Sequence, residues 1–468
     1  MATGLISMAS SQPWTRGASR STTGSSRSPR PEFKLESRQR MPSLDDIRQS
    51  LAPYLDTLRR DSRLATRMLA DFAKKQDPRT CGQMLGCMRE GKVDINTYHC
   101  SVVMSSLGKS SRWSSAIALL ESMHQWGVQH DIISLNSAIS AGARTGQWEV
   151  ALALLGSALE LQVEPNVITC SGALSACEKA GQWEVALAQL DFMPRLRLAP
   201  DVISINVAIS ACGNGGQWQR ALALFFGIPE FRAVPTEVSC NAAISACEGG
   251  GEWQHAFALL ASMPRLGLTP DVISFNAAIS ACEKGGQWPF ALTLIDSMLG
   301  QQVAPSVITF NAAISACGRE AQWRVALSLL HGMPSLGVAP DVITFSAAIS
   351  ACEGSQWRLA LTLLGAMPGL RITPNVIACS AAITVCEKGR QWQSALDVLD
   401  SMSAIQVAPD NIIYNAAISA CEKGAQWQVA LSLLGAMPRM RVLPNSNGFN
   451  AAISACEKSG RWSQALAL

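Results

Sequence analysis

The sequence predicts an all-α solenoid, made by stacking one helix–turn–helix unit many times. Three observations point there. First, the phrase NAAISACEKGGQW at 276–288 returns almost unchanged from Asn241, Asn311 and Asn415, and recognisably from Ser171, Asn206, Ser346, Ser380 and Asn450. Second, its cysteine keeps a fixed interval: Cys177, Cys212, Cys247, Cys282, Cys317 and Cys352 are each 35 residues apart, and Cys386, Cys421 and Cys456 continue after a one-residue deletion. Third, each period contains two stretches with helical hydrophobic spacing. A period in this range is the mark of a repeat architecture.

With Val272 as position 1 and Ser306 as position 35, full units occupy 97–131, 132–166, 167–201, 202–236, 237–271, 272–306, 307–341, 342–375, 376–410 and 411–445. The unit at 342–375 lacks one residue in its middle turn, and a last copy at 446–468 stops inside its second helix. A helical N-terminal region at 45–96 includes a worn copy at 62–96.

Each element of the unit has a reason. Val272, Phe275, Ile279 and Cys282 fall at helical spacing and make one apolar stripe. Ala277, Ala278 and Ala281 flank it, and their small side chains let neighbouring helices approach closely. Gly285 and Gly286 end this first helix, because glycine adopts the left-handed conformation cheaply. Trp288, Ala291, Leu292, Ile295 and Met298 form the stripe of a second helix. Pro305 closes the unit, and in most units the proline precedes Asp or Asn, a turn and new helix start. One hairpin cannot bury both stripes, whereas stacking on the next hairpin does.

Composition follows the repeat. Of 13 Trp, eleven hold position 17, on the apolar stripe, which reads as a core anchor rather than a base-stacking platform. The 15 Cys include no C-x-x-C pair, and the five His are scattered, so zinc spacing is absent. Packed helices lie roughly 8–10 Å apart, beyond the reach of a disulfide. One Cys per unit at a fixed helical position therefore reads as a small core residue. No apolar run reaches the roughly 18 residues of a membrane span. There is no phosphate loop, metal cluster or acid pair outside the repeated phrase, so neither catalysis, a cofactor nor a small-molecule substrate is expected.

Residues 1–31, MATGLISMASSQPWTRGASRSTTGSSRSPRP, are rich in Ser, Thr and Gly, carry Arg16, Arg20, Arg27 and Arg30, and have no acidic residue. With 32–44 they read as a disordered, transit-peptide-like segment, plastid more than mitochondrial. A plain basic tail is the alternative. This end matters for charge: residues 1–61 carry net +4 while the whole chain is +3, so the array itself is close to −1.

Positions 5, 9 and 12–13 share one face of the first helix. Position 13 is basic at Lys109, Arg144, Lys179, Lys284, Arg319, Lys388, Lys423 and Lys458, a cation ladder offset by acids at position 12. Position 5 is restricted to short hydrogen-bonding side chains: Asn136, Asn206, Asn241, Asn276, Asn311, Asn415 and Asn450, or Ser101, Ser171, Ser346 and Ser380. An indifferent surface position would drift to Lys or Glu, so an outward-facing ligand contact is expected. Satisfying helix-start backbone groups is the competing account. Against it stands the parallel variation of position 35: Asp131, Asn166, Asp201, Thr236, Asp271, Ser306, Asp341, Asn375, Asp410 and Asn445.

These features resemble the pentatricopeptide repeat family. The 35-residue unit, V-[IV]-[ST]-[FYCIL]-N at the first helix, A-L-x-L-L-x-x-M in the second and P-[DN] at the end all match, across 97–468 well and 62–96 faintly. Trp at position 17 departs from the commoner Leu. The resemblance implies a right-handed solenoid that binds single-stranded RNA of an organelle, one nucleotide per unit, in transcript processing or stabilisation, with other RNA-processing proteins as candidate company. It implies that positions 5 and 35 contact the base edge. Position 2 (Ile133, Ile168, Ile203, Val238, Ile273, Ile308, Ile343, Ile377 and Ile412) would sandwich the base, and position 13 would approach phosphates. The family's pairing rules give 5′-GYGYUCUAGY-3′ from Ser101/Asp131 to Asn415/Asn445, with Y a pyrimidine, and Thr66 with Asn96 would add an A in front. A protein-binding scaffold without RNA specificity is the alternative, favoured by the near-neutral array.

Overall fold

A computed structural model of the chain describes residues 44–75, 78–160, 163–352 and 356–465. The transit-like segment up to residue 43 and the shortened turn at 353–355 lie outside the described residues. Every described unit is a helical pair, and no strand occurs among the described residues. The unit from Val272 consists of Val272–Lys284 and Trp288–Gly300. Upstream, Ser62–Lys75 and Pro78–Glu90 form a similar pair. None of the helices is long and apolar enough to cross a membrane.

The first helix starts because Asp271 is extended and accepts the Ser274 N–H, while the Ser274 hydroxyl accepts the Asp271 N–H, a capping box. It stops because Gly286 adopts φ +68° and Gln287 N–H reaches back to the Cys282 carbonyl at 2.8 Å. Only the second glycine of the pair is left-handed: Gly285 stays right-handed at φ −81°. What Gly285 supplies is space. A Cβ there would sit 2.7 Å from Cδ1 of Trp253, in the unit before. The same relation joins Gly215 to Trp183, Gly250 to Trp218 and Gly424 to Trp392.

This changes the expected role of the tryptophan. Trp183, Trp218, Trp253 and Trp288 are half-exposed, packed against the core instead of filling it. Each bridges forward to the following unit. Position 19 of that unit also meets the ring: Arg220 lies 4.3 Å from the Trp183 ring centre, His255 5.0 Å from that of Trp218 and Phe290 4.4 Å from that of Trp253.

The second helix ends in two ways. Where position 28 is proline, as at Pro264, the last turn tightens to the 3-10 helix Met263–Leu266. Where it is Leu299 or Ser403, the α-helix runs on as Trp288–Gly300 or Trp392–Ala404. Proline has no N–H to return to the preceding turn, so the α ladder fails there.

First helices pack against the first helices of the units on either side, and each second helix packs against its own first helix and that of the next unit. Between them Phe275, Ile279 and Cys282 are buried together with Ala291, Ile295 and Met298. Leu294 takes the inner place expected for Leu292, which is half-exposed. The core is thus a strip running along the array. All 15 cysteines are free and buried. Burial pushes thiols such as Cys282 and Cys317 up to about 11, so they stay protonated and act as small apolar groups.

Candidate nucleic-acid interface

Position 35 is the N-cap of the following first helix throughout. Asp131, Asn166, Asp201, Thr236 and Asp271 each accept the backbone N–H three residues on. So do Ser306, Asp341, Asn375, Asp410 and Asn445. Asp, Asn, Ser and Thr are the residues that cap helices. Capping alone therefore restricts this position to those four types, and its variation is by itself no sign of a ligand.

What capping does not dictate is the meeting with position 5. Asn241 Nδ2 donates to Asp271 Oδ1, Asn276 Nδ2 to Ser306 Oγ and Asn311 Nδ2 to Asp341 Oδ1, each at 3.3 Å. Asn415 Nδ2 donates to Asn445 Oδ1 at 3.0 Å, and Ser101 Oγ to Asp131 Oδ2 at 2.9 Å. Asn136 and Asn166 meet through the Thr169 hydroxyl, and Ser171 and Asp201 through that of Ser204. Among the described residues no hydrogen bond joins Asn206 to Thr236, Ser346 to Asn375 or Ser380 to Asp410.

Position 5 is only partly outward-facing. Asn276 is half-buried, and Ser101, Asn206 and Ser346 are buried, because the first helix of the next unit closes over this face. The two residue types also differ in reach. Ser101, Ser171 and Ser346 turn back to the carbonyl four residues earlier in their own helix, at 2.7–2.8 Å. Ser101 and Ser171 also meet the neighbouring cap, directly or through Ser204, whereas Asn241, Asn276, Asn311 and Asn415 reach it with their amides.

Position 2 stands beside each couple and is exposed. Ile133, Ile168, Ile203, Val238, Ile273, Ile308, Ile343, Ile377 and Ile412 are 58–68% exposed. One isolated exposed aliphatic means little, but a row at a single register is a surface property. Tyr98 occupies this position in the unit at 97–131 and is 75% exposed. Residue type sets it apart from the Ile and Val row, but register alone places it there.

The cations of position 13 lie eleven residues further along the helix, roughly 16 Å away. Lys109, Arg144, Lys179, Lys284, Arg319, Lys388 and Lys423 are all exposed. Several of these side chains have partners in the array. Lys284 pairs with Glu248 at 3.0 Å, and Lys423 with Glu387 and Lys458 with Glu422 at 2.8 Å, each glutamate belonging to the preceding unit. Arg144 donates to the Lys109 carbonyl and Arg319 to that of Lys284. Ser280, Ser315 and Ser419 at position 9 donate to the same glutamate row. Acid and base thus knit adjacent units, which accounts for the neutral array. Exposed pairs of this kind are worth about 0–1 kcal/mol.

Two caps carry a pH signature. Burial drives the carboxyls of Asp271 and Asp341 upward, but hydrogen bonds from Ser274 and Asn241, or from Thr344 and Asn311, outweigh it and leave both below the ordinary carboxylate value. A depressed folded-state pKa stabilises above the unfolded value of about 3.9, and that contribution is lost as pH falls through the folded value. Between pH 6 and pH 3 the melting temperature of the wild type should therefore drop further than that of Asp271→Asn, which can still cap. Equal drops would remove Asp271 from the acid response.

Profiles of known families match this pattern along the array. The one described as pentatricopeptide repeat domain matches 118–177, 153–215, 234–287, 258–320 and 362–424. PPR repeat family matches 305–353, and PPR repeat matches 98–128 and 412–442. Among solved structures the chain is similar to the pentatricopeptide repeat protein PPR10 from maize, at 18% identity over 91% of this chain and 78% of that one, with a TM-score of 0.43. For PPR10 in complex with an 18-nt psaJ RNA element the values are 20%, 91% and 66%, so this chain spans just under two thirds of it, with a TM-score of 0.42. For yeast Rmd9p in complex with a 16nt target RNA they are 9%, 86% and 79%, with a TM-score of 0.33. No curated protein matches the sequence.

Proposed function

This chain belongs to the pentatricopeptide repeat family, and from that premise we propose that it binds single-stranded RNA at one nucleotide per unit. The observation that carries the reading is the row of couples between positions 5 and 35, each flanked by an exposed aliphatic at position 2. Each couple offers donors and acceptors to a base edge, and the aliphatics on either side offer apolar contact to its faces. Units with Asn present an amide that fills the space and suits a pyrimidine. Units with Ser, whose hydroxyl returns to its own helix, leave room for a purine. The target is 5′-GYGYUCUAGY-3′. The site of action is an organelle, reached through the N-terminal segment, and the role is to occupy a transcript and so protect it or direct its processing.

The glutamate partners of Lys284, Lys423 and Lys458 favour the competing reading, a protein-binding scaffold. Equilibrium binding separates the two. At one fixed salt concentration the ten-mer should bind at least about tenfold more tightly than a scrambled ten-mer, and affinity should fall with salt at a log–log slope of roughly −0.7 per phosphate engaged. Equal affinity for the two RNAs, or no salt dependence, would overturn the RNA reading.

A further inference from the structure

The hydroxyl at position 3 of the following unit belongs to no part of the base-reading scheme above. It makes the shortest polar contacts of the interface. Thr169 Oγ1 lies 2.7 Å from Asn136 Oδ1, Ser274 Oγ 2.5 Å from Asn241 Oδ1, and Thr309 Oγ1 and Thr344 Oγ1 each 2.6 Å from the Oδ1 of Asn276 and Asn311. These hydroxyls are fully or almost fully buried. Their partners lie 33 residues back, in the preceding unit.

In the unit at 272–306 three side chains close a ring, which two hydroxyls can complete with the amide in either orientation. Ser306 Oγ and Thr309 Oγ1 lie 3.0 Å apart, and either can donate. In one orientation Thr309 O–H donates to Asn276 Oδ1, and Asn276 Nδ2–H donates to Ser306 Oγ, closing the ring. A carboxylate has no proton to give, so in the units ending at Asp271 and Asp341 it can only accept from Nδ2, and this orientation is the one held. Turning the amide over would set Oδ1 against the carboxylate and lose the bond to the hydroxyl. In those two units the amide is therefore held with Oδ1 inward, and in all four the hydroxyl pins the amide in place.

Two units lack this lock. Gly448 stands where Thr or Ser stands elsewhere, and Asn415 Oδ1 is buried without a partner. Ser239 bonds to its own cap Thr236, and Asn206 Oδ1 is likewise buried and unpartnered. The same chain thus contains four locked and two unlocked asparagines.

We propose that the position-3 hydroxyl is a positioning residue for specificity: it pins the amide of the preceding unit's Asn in one place at the seam, so that the nucleotide meets it at a fixed position. This rests on the base-reading role of Asn276. Pyrimidine over purine discrimination is then sharp at the nucleotides facing Asn136, Asn241, Asn276 and Asn311, and weak at those facing Asn206 and Asn415.

The test is binding of the full chain to four ten-mers that differ only at the sixth nucleotide, which faces Asn276. Thr309→Val removes the hydroxyl at nearly constant shape, and Thr309→Ser restores it. The wild type and Thr309→Ser should prefer C to A by the same factor, and Thr309→Val should lower that factor about threefold to tenfold. Thr309 also completes a capping box with Ser306, so the valine variant will lose some stability. A purely structural role would lower affinity for all four RNAs alike and leave the ratio unchanged, which would overturn the proposal. If Asn276→Ser also leaves the ratio unchanged, the base-reading role itself is wrong. If Asn276→Ser moves the ratio and Thr309→Val does not, only the lock is wrong.

Discussion

Asn276→Ser combined with Ser306→Asp is expected to move the preference at the sixth nucleotide of 5′-GYGYUCUAGY-3′ from C to G. Asn276 reaches across to Ser306 and is gripped by Thr309. A serine in its place would fold back onto its own helix, as Ser101, Ser171 and Ser346 do, and clear the space for a purine. Aspartate at 306 would still cap the next helix, as it does at 131, 201, 271, 341 and 410, so the fold should survive. Hydrogen-bonded discrimination at one base is worth about 1–3 kcal/mol, so the ratio of dissociation constants for the C- and G-bearing ten-mers should change by about 5- to 150-fold. An unchanged ratio in a variant with a wild-type melting curve would show that these positions do not read bases.

Gly215→Ala should destabilise the protein, although helix propensity forecasts the opposite. Gly215 has an ordinary right-handed φ of −84°, where alanine is normally favoured by up to about 1 kcal/mol. Its Cβ, however, would lie 2.2 Å from Trp183 Cδ1, 2.8 Å from Cγ and 3.2 Å from the Trp183 Cβ. Rotating the indole cannot relieve the last contact, so the two units must separate slightly. Overpacking of this kind costs about 1–3 kcal/mol, readable as a lower denaturant midpoint. In a Trp183→Ala background, which removes Cδ1 and Cγ and leaves only the 3.2 Å Cβ contact, the same substitution should cost clearly less, and the cycle isolates the ring contact. Gly332→Ala is the internal control, because nothing lies within 4 Å of its Cβ. If Gly215→Ala stabilises as Gly332→Ala does, the Trp–Gly seam is not a determinant of stacking.

Much of the architecture was readable before any coordinates. The interval between Cys282 and its counterparts set the unit, and the spacing of Phe275, Ile279 and Cys282 set the buried face of the first helix. Register alone places positions 5, 35 and 2 in every unit, Tyr98 included. Where the structure differs from the local pattern, the deciding contact lies in a neighbouring unit. Gly285 looked like a helix breaker and is a clearance for Trp253. The acids at position 12 were expected to offset the cations, but the pairing runs between units: glutamates 36 residues earlier hold Lys284, Lys423 and Lys458. Position 35 looked like a variable contact and is first of all an N-cap.

By itself, then, the sequence determined the helices, their caps and the faces they bury, because those depend on spacings of three and four residues and on the conformational preferences of Gly, Pro, Asp and Asn. It also determined that the units must stack, because a lone hairpin leaves an apolar face in water. Only the tertiary structure decided which polar atoms meet. The rings of Asn276, Ser306 and Thr309 join residues 30 and 33 positions apart, across the seam between two units. No local periodicity encodes such contacts: the offset between stacked hairpins sets them, and that offset is fixed by the packing of Trp on Gly and first helix on first helix.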